Sequence, residues 1–213
     1  MFQWQTSTVP VAGKDPSARE TELLEAAYGY VLEHGLADLS LRPLASAIGS
    51  SPRVLLFLFG SKDGLVRALL ARARADEMTL LEHLRQRRRD TDLAGAVSQV
   101  WPWLSDPRHQ GLLRLWVEAY ARSLVEPNGP WGGFALGTVT DWLEVLAEFQ
   151  APRCRQTAGA RAQSTAALAL LRGALLDLLA TDDHQRVSAA LQSGLSHLLA
   201  DESPTSRVLK NPS

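Results

Sequence analysis

Apolar residues recur every third or fourth position along most of the 213-residue chain, and no stretch alternates apolar with polar as a half-buried strand would, which predicts an all-α protein. A first helix is expected over about residues 17–34, with Leu23, Leu24, Ala27, Tyr28 and Val31 facing inward and Gly35 as its stop. Ser40, able to cap a helix, and Pro43, in a first turn where a missing N–H costs nothing, open a second, with Leu41, Leu44, Ala45 and Ile48 on its apolar face. Gly49 and Ser50 break it. Ser51 with Pro52 supplies an N-cap followed by proline at the first helical position, and predicts a third helix of about two turns ending near Leu58. Gly60 stops that helix and Ser61 caps a long fourth one, expected from Lys62 to about Arg89. Its stripe is Leu65, Val66, Leu69, Leu70, Ala73, Leu80, Leu81 and Leu84, its end is basic from Arg85 to Arg89, and Asp90 and Asp92 mark a boundary. Five more helices are predicted over 93–104, 110–125, 131–149, 156–180 and 183–200, separated by turn formers at Asp106-Pro107, residues 126–130, Ala151-Pro152 and residues 181–183.

Two short helices joined by a tight turn, over residues 40–62, suit insertion into a DNA groove, although the same arrangement also serves as plain structure. Charge shifts the balance. The chain carries a formal net charge of -1, yet between Ser40 and Arg74 stand Arg42, Arg53, Lys62, Arg67, Arg72 and Arg74 against the single acid Asp63. Arg42, Arg53 and Lys62 lie at helix starts, where backbone N–H groups favour anions, and are the better phosphate candidates. Arg67, Arg72 and Arg74 read as a solvated helix face. The DNA-binding candidates are Ser40, Arg42, Ser51, Arg53, Val54, Phe57 and Lys62.

The runs RETELLEAAYGYVLEHG, LADLSLRPLASAIGSS and PRVLLFLFGSKDGLVRALL, in this order and spacing, make residues 17–76 resemble the DNA-binding domain of the TetR family of one-component bacterial repressors. The resemblance implies that residues 40–59 are a helix-turn-helix reading unit and that 51–58 enters the major groove. It also implies that 77–201 form an effector-binding and dimerisation domain. The chain departs from the family where many members carry Leu-Tyr-x-His-Phe: here stand Leu55, Leu56, Phe57, Leu58 and Phe59. Leu56 and Leu58 offer phosphates no hydrogen bond, so weaker or phosphate-poorer binding is expected, with Arg53, Arg42 and Lys62 carrying more of it. Phe57 either contacts a sugar or thymine methyl or pins the second helix to the fourth.

Trp101, Trp103, Trp116, Tyr120, Trp131, Phe134, Trp142 and Phe149 crowd the first three body helices. By residue type alone they form either the wall of a small-molecule cleft or an aromatic core without one. The resemblance favours the cleft, with Trp101, Trp103, Trp116, Tyr120, Trp131, Phe134 and Trp142 as ligand-binding candidates and an apolar or aromatic effector. Polar candidates are Glu118, Arg114, Tyr120, Gln99 and Arg122, though surface ion pairing of Glu118 with Arg114 and Arg122 explains those three equally well. The last two helices carry more apolar residues than one-sided packing uses. Leu168, Leu171, Leu175, Leu178, Leu191, Leu195 and Leu198 are the expected contacts of a homodimeric four-helix bundle, a monomeric core being the alternative.

A hydrophobic content of 46% fills a sizeable core, and no run of about eighteen apolar residues suggests a membrane span. Residues 1–16 lack the pattern of a secretory signal and read, like 202–213, as a flexible tail, in which Lys14 together with Arg19 could follow a DNA backbone. Cys154 stands alone, which fits a reducing, cytoplasmic setting. Catalytic patterns are lacking: His34, His83, His109, His184 and His197 are scattered, no Gly-x-Ser-x-Gly elbow occurs, and the glycines of residues 129–137 lack the spacing of a dinucleotide loop. No enzyme activity, metal or cofactor is expected. The favoured reading is a ligand-responsive homodimeric repressor released from a palindromic operator by a small effector; the other is a helical ligand-binding or protein-interaction protein that has lost operator binding.

Overall fold

The computed structural model describes residues 17–88 and 91–200, the side chains of 198–200 excepted. The elements are α1 (Ala18–His34), α2 (Leu41–Ala47), α3 (Pro52–Phe59), α4 (Lys62–Gln86), α5 (Leu93–Leu104), α6 (Gln110–Val125), α7 (Phe134–Glu148), α8 (Ala158–Thr181) and α9 (His184–Ala200), and the described residues include no strand. Six helix starts are fixed by side-chain caps that satisfy an otherwise orphaned amide: Ser17, Ser51, Ser61, Asp92, Thr157 and Asp183 each accept from the N–H three residues on. Ser40 stands at the N-cap of α2 but makes no such side-chain bond, so the capping role expected for its hydroxyl is not fulfilled.

Boundaries differ from the sequence expectation in a few places. A 3-10 turn, Pro107–His109, fills the joint between α5 and α6. The seventh helix begins at Phe134 because Gly133 precedes it in the left-handed region at φ 80°, which leaves Trp131 in the turn before it. The eighth begins at Ala158, behind its Thr157 cap. Helix α4 stops at Gln86, with Arg87 as its C-cap, short of the expected reach to Arg89; Arg89 itself, the boundary at Asp90, and both tails with Lys14 fall outside the described residues.

Helix α4 runs through the molecule. Its first half closes a head made by α1, α2 and α3 over Leu23, Ala27, Val31, Leu44, Leu55, Leu65 and Leu69, and its second half enters the body formed by α5 to α9. Helix α6 also reaches the head. Gly111 lies so close to α1 that a Cβ there would stand 2.4 Å from the carbonyl oxygen of Leu32, and one turn further on the Leu36 amide donates to Glu118 Oε2 at 3.0 Å.

Helix α8 packs against α5, α6, α7 and α9 within one chain, and this changes the reading of its leucines. Leu168, Leu171 and Leu178, with Leu191 and Leu195 of α9, are buried in their own protomer, and Leu175 is half-buried. Side chains without exposed area have none to lose to a second copy, so Leu168, Leu171, Leu178, Leu191 and Leu195 are corrected from interface contacts to core; half-buried Leu175 keeps some area, and the side chain of Leu198 lies outside the described residues. Facing outward instead, at three- and four-residue spacing, are Ala162, Thr165, Ala169, Gly173, Leu176 and Ala180. Contrary to expectation, α8 is long and apolar enough by length and composition to cross a membrane, with mean hydropathy 1.4 over its best window; in the fold its inner face is sheathed by the other body helices.

Candidate nucleic-acid interface and internal cavity

The helix-turn-helix is anchored from below by Leu44, Ala45 and Leu55, all essentially without exposure, while Gly49, at φ 64°, makes the turn that only glycine adopts without strain. Its outer surface holds Ser40, Arg42, Ser51, Arg53, Val54, Leu56 and Phe57, with Lys62 and Arg67 at the start of α4. Ser51 Oγ accepts from Val54 N at 3.3 Å and Ser61 Oγ from Gly64 N at 3.0 Å, so both hydroxyl protons remain free to donate outward. Phe57 is 86% exposed, which removes the reading in which it pins α2 to α4; Leu58 and Phe59 pack inward instead. Leu58 is thus a packing residue, and Leu56 alone of the two leucines is an apolar replacement on the surface.

Arg42, Arg53, Lys62 and Arg67 are exposed and have no ion-pair partner among the described residues. Arg72 and Arg74 belong elsewhere, which corrects the view of them as a solvated face. Arg72 bridges Glu25 of α1 at 2.7 Å and Asp76, and its guanidinium lies 4.8 Å from the centre of the Tyr28 ring. The hydrogen bonds to Glu25 and Asp76 push the Arg72 guanidinium upward from its ordinary range. Burial, then the hydrogen bond that Tyr28 donates to Asp76 at 2.8 Å, pushes the phenol far above its own. The group is a strut between α1 and α4.

In the body a cavity of about 250 Å³ opens between α4, α6, α7 and α8. Four of the seven expected ligand residues line it: Trp116, Tyr120, Phe134 and Trp142. The other three lie elsewhere in the body. Trp101 is buried and donates to Ser188 Oγ of α9 at 2.8 Å, Trp103 stacks on His109 at 3.9 Å, and Trp131 is buried in the α6–α7 turn with the Arg122 guanidinium 5.4 Å from its ring centre. Leu168, Leu171 and Leu175, expected at an interface, are cavity wall.

Apart from Tyr120, sequence reasoning missed the polar residues of this cavity. Glu77, on α4, is 1% exposed: its Oε1 accepts from Trp142 Nε1 at 2.7 Å, while its Oε2 accepts from Thr138 Oγ1 at 3.3 Å and pairs with Arg74. Arg74 in turn donates to Thr138 Oγ1 at 3.1 Å and pairs with Asp141 of α7. The signal was available, since position 77 lies on the same helical face as Ala73, Leu80 and Leu81; an acid in the phase of a core stripe needs an internal counter-ion. Arg172 of α8 is the second charged wall residue.

Among the other polar candidates, the surface pairing of Glu118 with its neighbours is not found: Glu118 serves Leu36, Arg122 pairs with Glu126 at 3.1 Å, and Arg114 is exposed. Gln99 donates to Thr91 Oγ1 at 2.9 Å, away from the cavity. The indole of Trp116 donates to the Ala73 carbonyl at 3.2 Å, so a cavity wall is bonded to α4 itself. Cys154 is exposed, and the described residues hold no group of three or more acids, histidines or cysteines that could take a metal.

Residues 23–69 match the family model of bacterial regulatory proteins of the tetR family. Among solved structures, the fold resembles a Mesorhizobium loti protein assigned to the TetR family of transcriptional regulators, at 16% identity, TM-score 0.68, and coverage of 89% of this chain and 98% of that one. It also resembles the multidrug binding protein EbrR complexed with imidazole, at 21% identity, TM-score 0.63, and coverage of 84% and 89%. A third is a TetR transcription regulator from Haloarcula marismortui, at 18% identity, TM-score 0.62, and coverage of 84% and 96%. At these identities the likeness is one of fold. No curated protein matches the chain in sequence.

Proposed function

Because residues 23–69 match the family model of bacterial regulatory proteins of the tetR family, we propose that the chain is a cytoplasmic, homodimeric repressor released from a palindromic operator by a small apolar or aromatic effector. The observation that carries this reading is the joining of two surfaces by one helix. The exposed cations Lys62 and Arg67 start α4, and Glu77 on the same helix lines the cavity. EbrR, a multidrug binding protein of the same fold, supports a small molecule as the occupant.

Two mechanical links run from cavity to head. The first is α4, held by the Arg74 and Glu77 network on one side and the Arg72 strut on the other. The second is α6, which supplies Trp116 and Tyr120 to the cavity and meets α1 at Gly111 and Glu118. An effector that spreads α6 from α4 reorients the head through both, and the coupling needed is about 1–3 kcal/mol in typical systems. Dimerisation uses the outward face of α8 with α9, so that two heads meet two half-sites.

A gel shift with DNA from upstream of the protein's own gene tests the reading, with the lost-operator alternative as the opposite result. Two variants refine it. Arg53→Ala is expected to cost about 1–3 kcal/mol and to relax preference at one base pair per half-site. Lys62→Ala should weaken all operator variants alike and reduce the salt slope by about one counterion. Competition titrations at several salt concentrations separate the two roles; full base preference in Arg53→Ala removes the base-reading assignment.

Gly111→Ala tests the second link. Its methyl group meets the Leu32 backbone, which cannot rotate away, so overpacking should cost about 1–3 kcal/mol of stability. Operator affinity is expected to change even without effector. A variant that binds and releases DNA like the parent would show that α6 plays no part in the coupling.

A further inference from the structure

The two charged residues of the cavity wall are in opposite states. Glu77 has both oxygens occupied: Oε1 by the Trp142 indole, Oε2 by Arg74 and Thr138. A cationic ligand would find no free acceptor there and would have to compete with Arg74. Arg172 lies across the cavity on α8. Its guanidinium stands 4.9 Å from the centre of the Tyr120 ring, and Nη1 donates to Tyr120 Oη over a long 3.4 Å. Nη2 is buried with no acceptor among the described residues, and no carboxylate there pairs with the group. A buried guanidinium donor left unpaired costs more than almost any other polar group, and the geometry of its fork suits a carboxylate.

We infer, resting on the reading of this cavity as the effector site, that the effector is a small organic acid, its anionic head taken by Arg172 and Tyr120 and its apolar body laid among Trp116, Phe134, Trp142 and Leu171. Tyr120 pre-orients the guanidinium and leaves Nη2 for the ligand. The size follows from the volume. An apolar cavity of about 150 Å³ takes benzene, so about 250 Å³ takes one ring with a short arm, about ten non-hydrogen atoms. Neutralising Arg172 removes the unpaired charge and draws α8 toward α6, the helix that reaches the head.

The test uses three probes of one shape on the full chain: 4-phenylbutyrate, its amide and 4-phenylbutylamine, with binding read by calorimetry and by the emission of Trp116 and Trp142. The acid should bind about tenfold to a hundredfold tighter than the amide, and the amine weakest, since a hydrogen bond to a charged group is worth about 1.5–3 kcal/mol. Arg172→Gln should erase the preference for the acid while still binding the amide; Arg172→Lys should retain part of it. The order among the three probes on the unmutated protein stands as a test even if a variant folds poorly. Equal binding of acid and amide, preference for the amine, or an acid preference that survives Arg172→Gln overturns the assignment and leaves the cavity as an effector site for other chemistry. If none of the probes binds, the cavity reading falls and the inference with it. If acid preference is absent and Arg172→Gln turns dimers into monomers, Arg172 belongs to an interface between copies.

Discussion

An Arg74→Met chain should melt about 10 °C below the parent, because it strands the Glu77 carboxylate in the body without a counter-ion. Breaking such a buried pair from one side costs about 3–5 kcal/mol, and each kcal/mol moves the midpoint by about 2–4 °C in a chain of this size. Glu77 keeps its bonds to Trp142 and Thr138 but nothing then neutralises it, and Asp141 loses its partner as well. The double variant Arg74→Met with Glu77→Gln should recover most of the loss, since the amide oxygen still accepts from Trp142 and the amide NH2 donates to the Thr138 hydroxyl, without carrying charge. Thermal unfolding of both by circular dichroism decides the matter. A double variant as unstable as the single one would trace the loss to packing around position 74 rather than to the orphaned charge.

The larger effect on function is expected from the outward face of α8. Ala169→Glu or Gly173→Glu sets a charge on the small-residue face without disturbing the protomer; a Cβ at Gly173 meets nothing within 4 Å. Dimers should separate, and operator affinity should fall by about 10²–10⁴, the gain that linking two half-site contacts ordinarily provides. Leu178→Glu differs. That side chain is 5% exposed within its own chain, so the variant should unfold rather than dissociate. Sedimentation velocity with a gel shift separates these outcomes, and folded, fully dimeric Ala169→Glu and Gly173→Glu proteins would exclude this face as the interface.

The helices were legible because each signal is local: the Ser51-Pro52 start, the Gly60-Ser61 joint and the Thr181–Asp183 break need no knowledge of what packs where. The phase of α8 was harder. Apolar residues on two faces announce two kinds of burial, but periodicity does not say which face turns toward the chain's own core, and Leu168, Leu171 and Leu178 took the inner one while alanine, threonine, glycine and Leu176 took the outer. Arg72 and Arg74 misled for a related reason. A charge count along the chain cannot see that Glu25, Asp76, Glu77 and Asp141 come round to meet them, since Asp141 stands 67 residues from Arg74. The aromatic cluster pointed to the right helices, yet which tryptophans face a cavity depends on where each indole N–H finds its acceptor, a tertiary matter.

The bare ring of Phe57, with Leu56 and Val54 beside it, would add an apolar share to the proposed contact with DNA. Exposed cations such as Arg42, Arg53 and Lys62 exchange counterions for phosphate contacts, whereas an apolar patch sheds water from its area. Binding of the second kind loses little strength as salt rises, tightens on warming near room temperature, and carries a negative heat-capacity change. On the proposed operator, raising salt should therefore strip away the share of Arg42, Arg53 and Lys62 and leave that of the apolar patch, so that the affinity remaining at high salt reports Phe57.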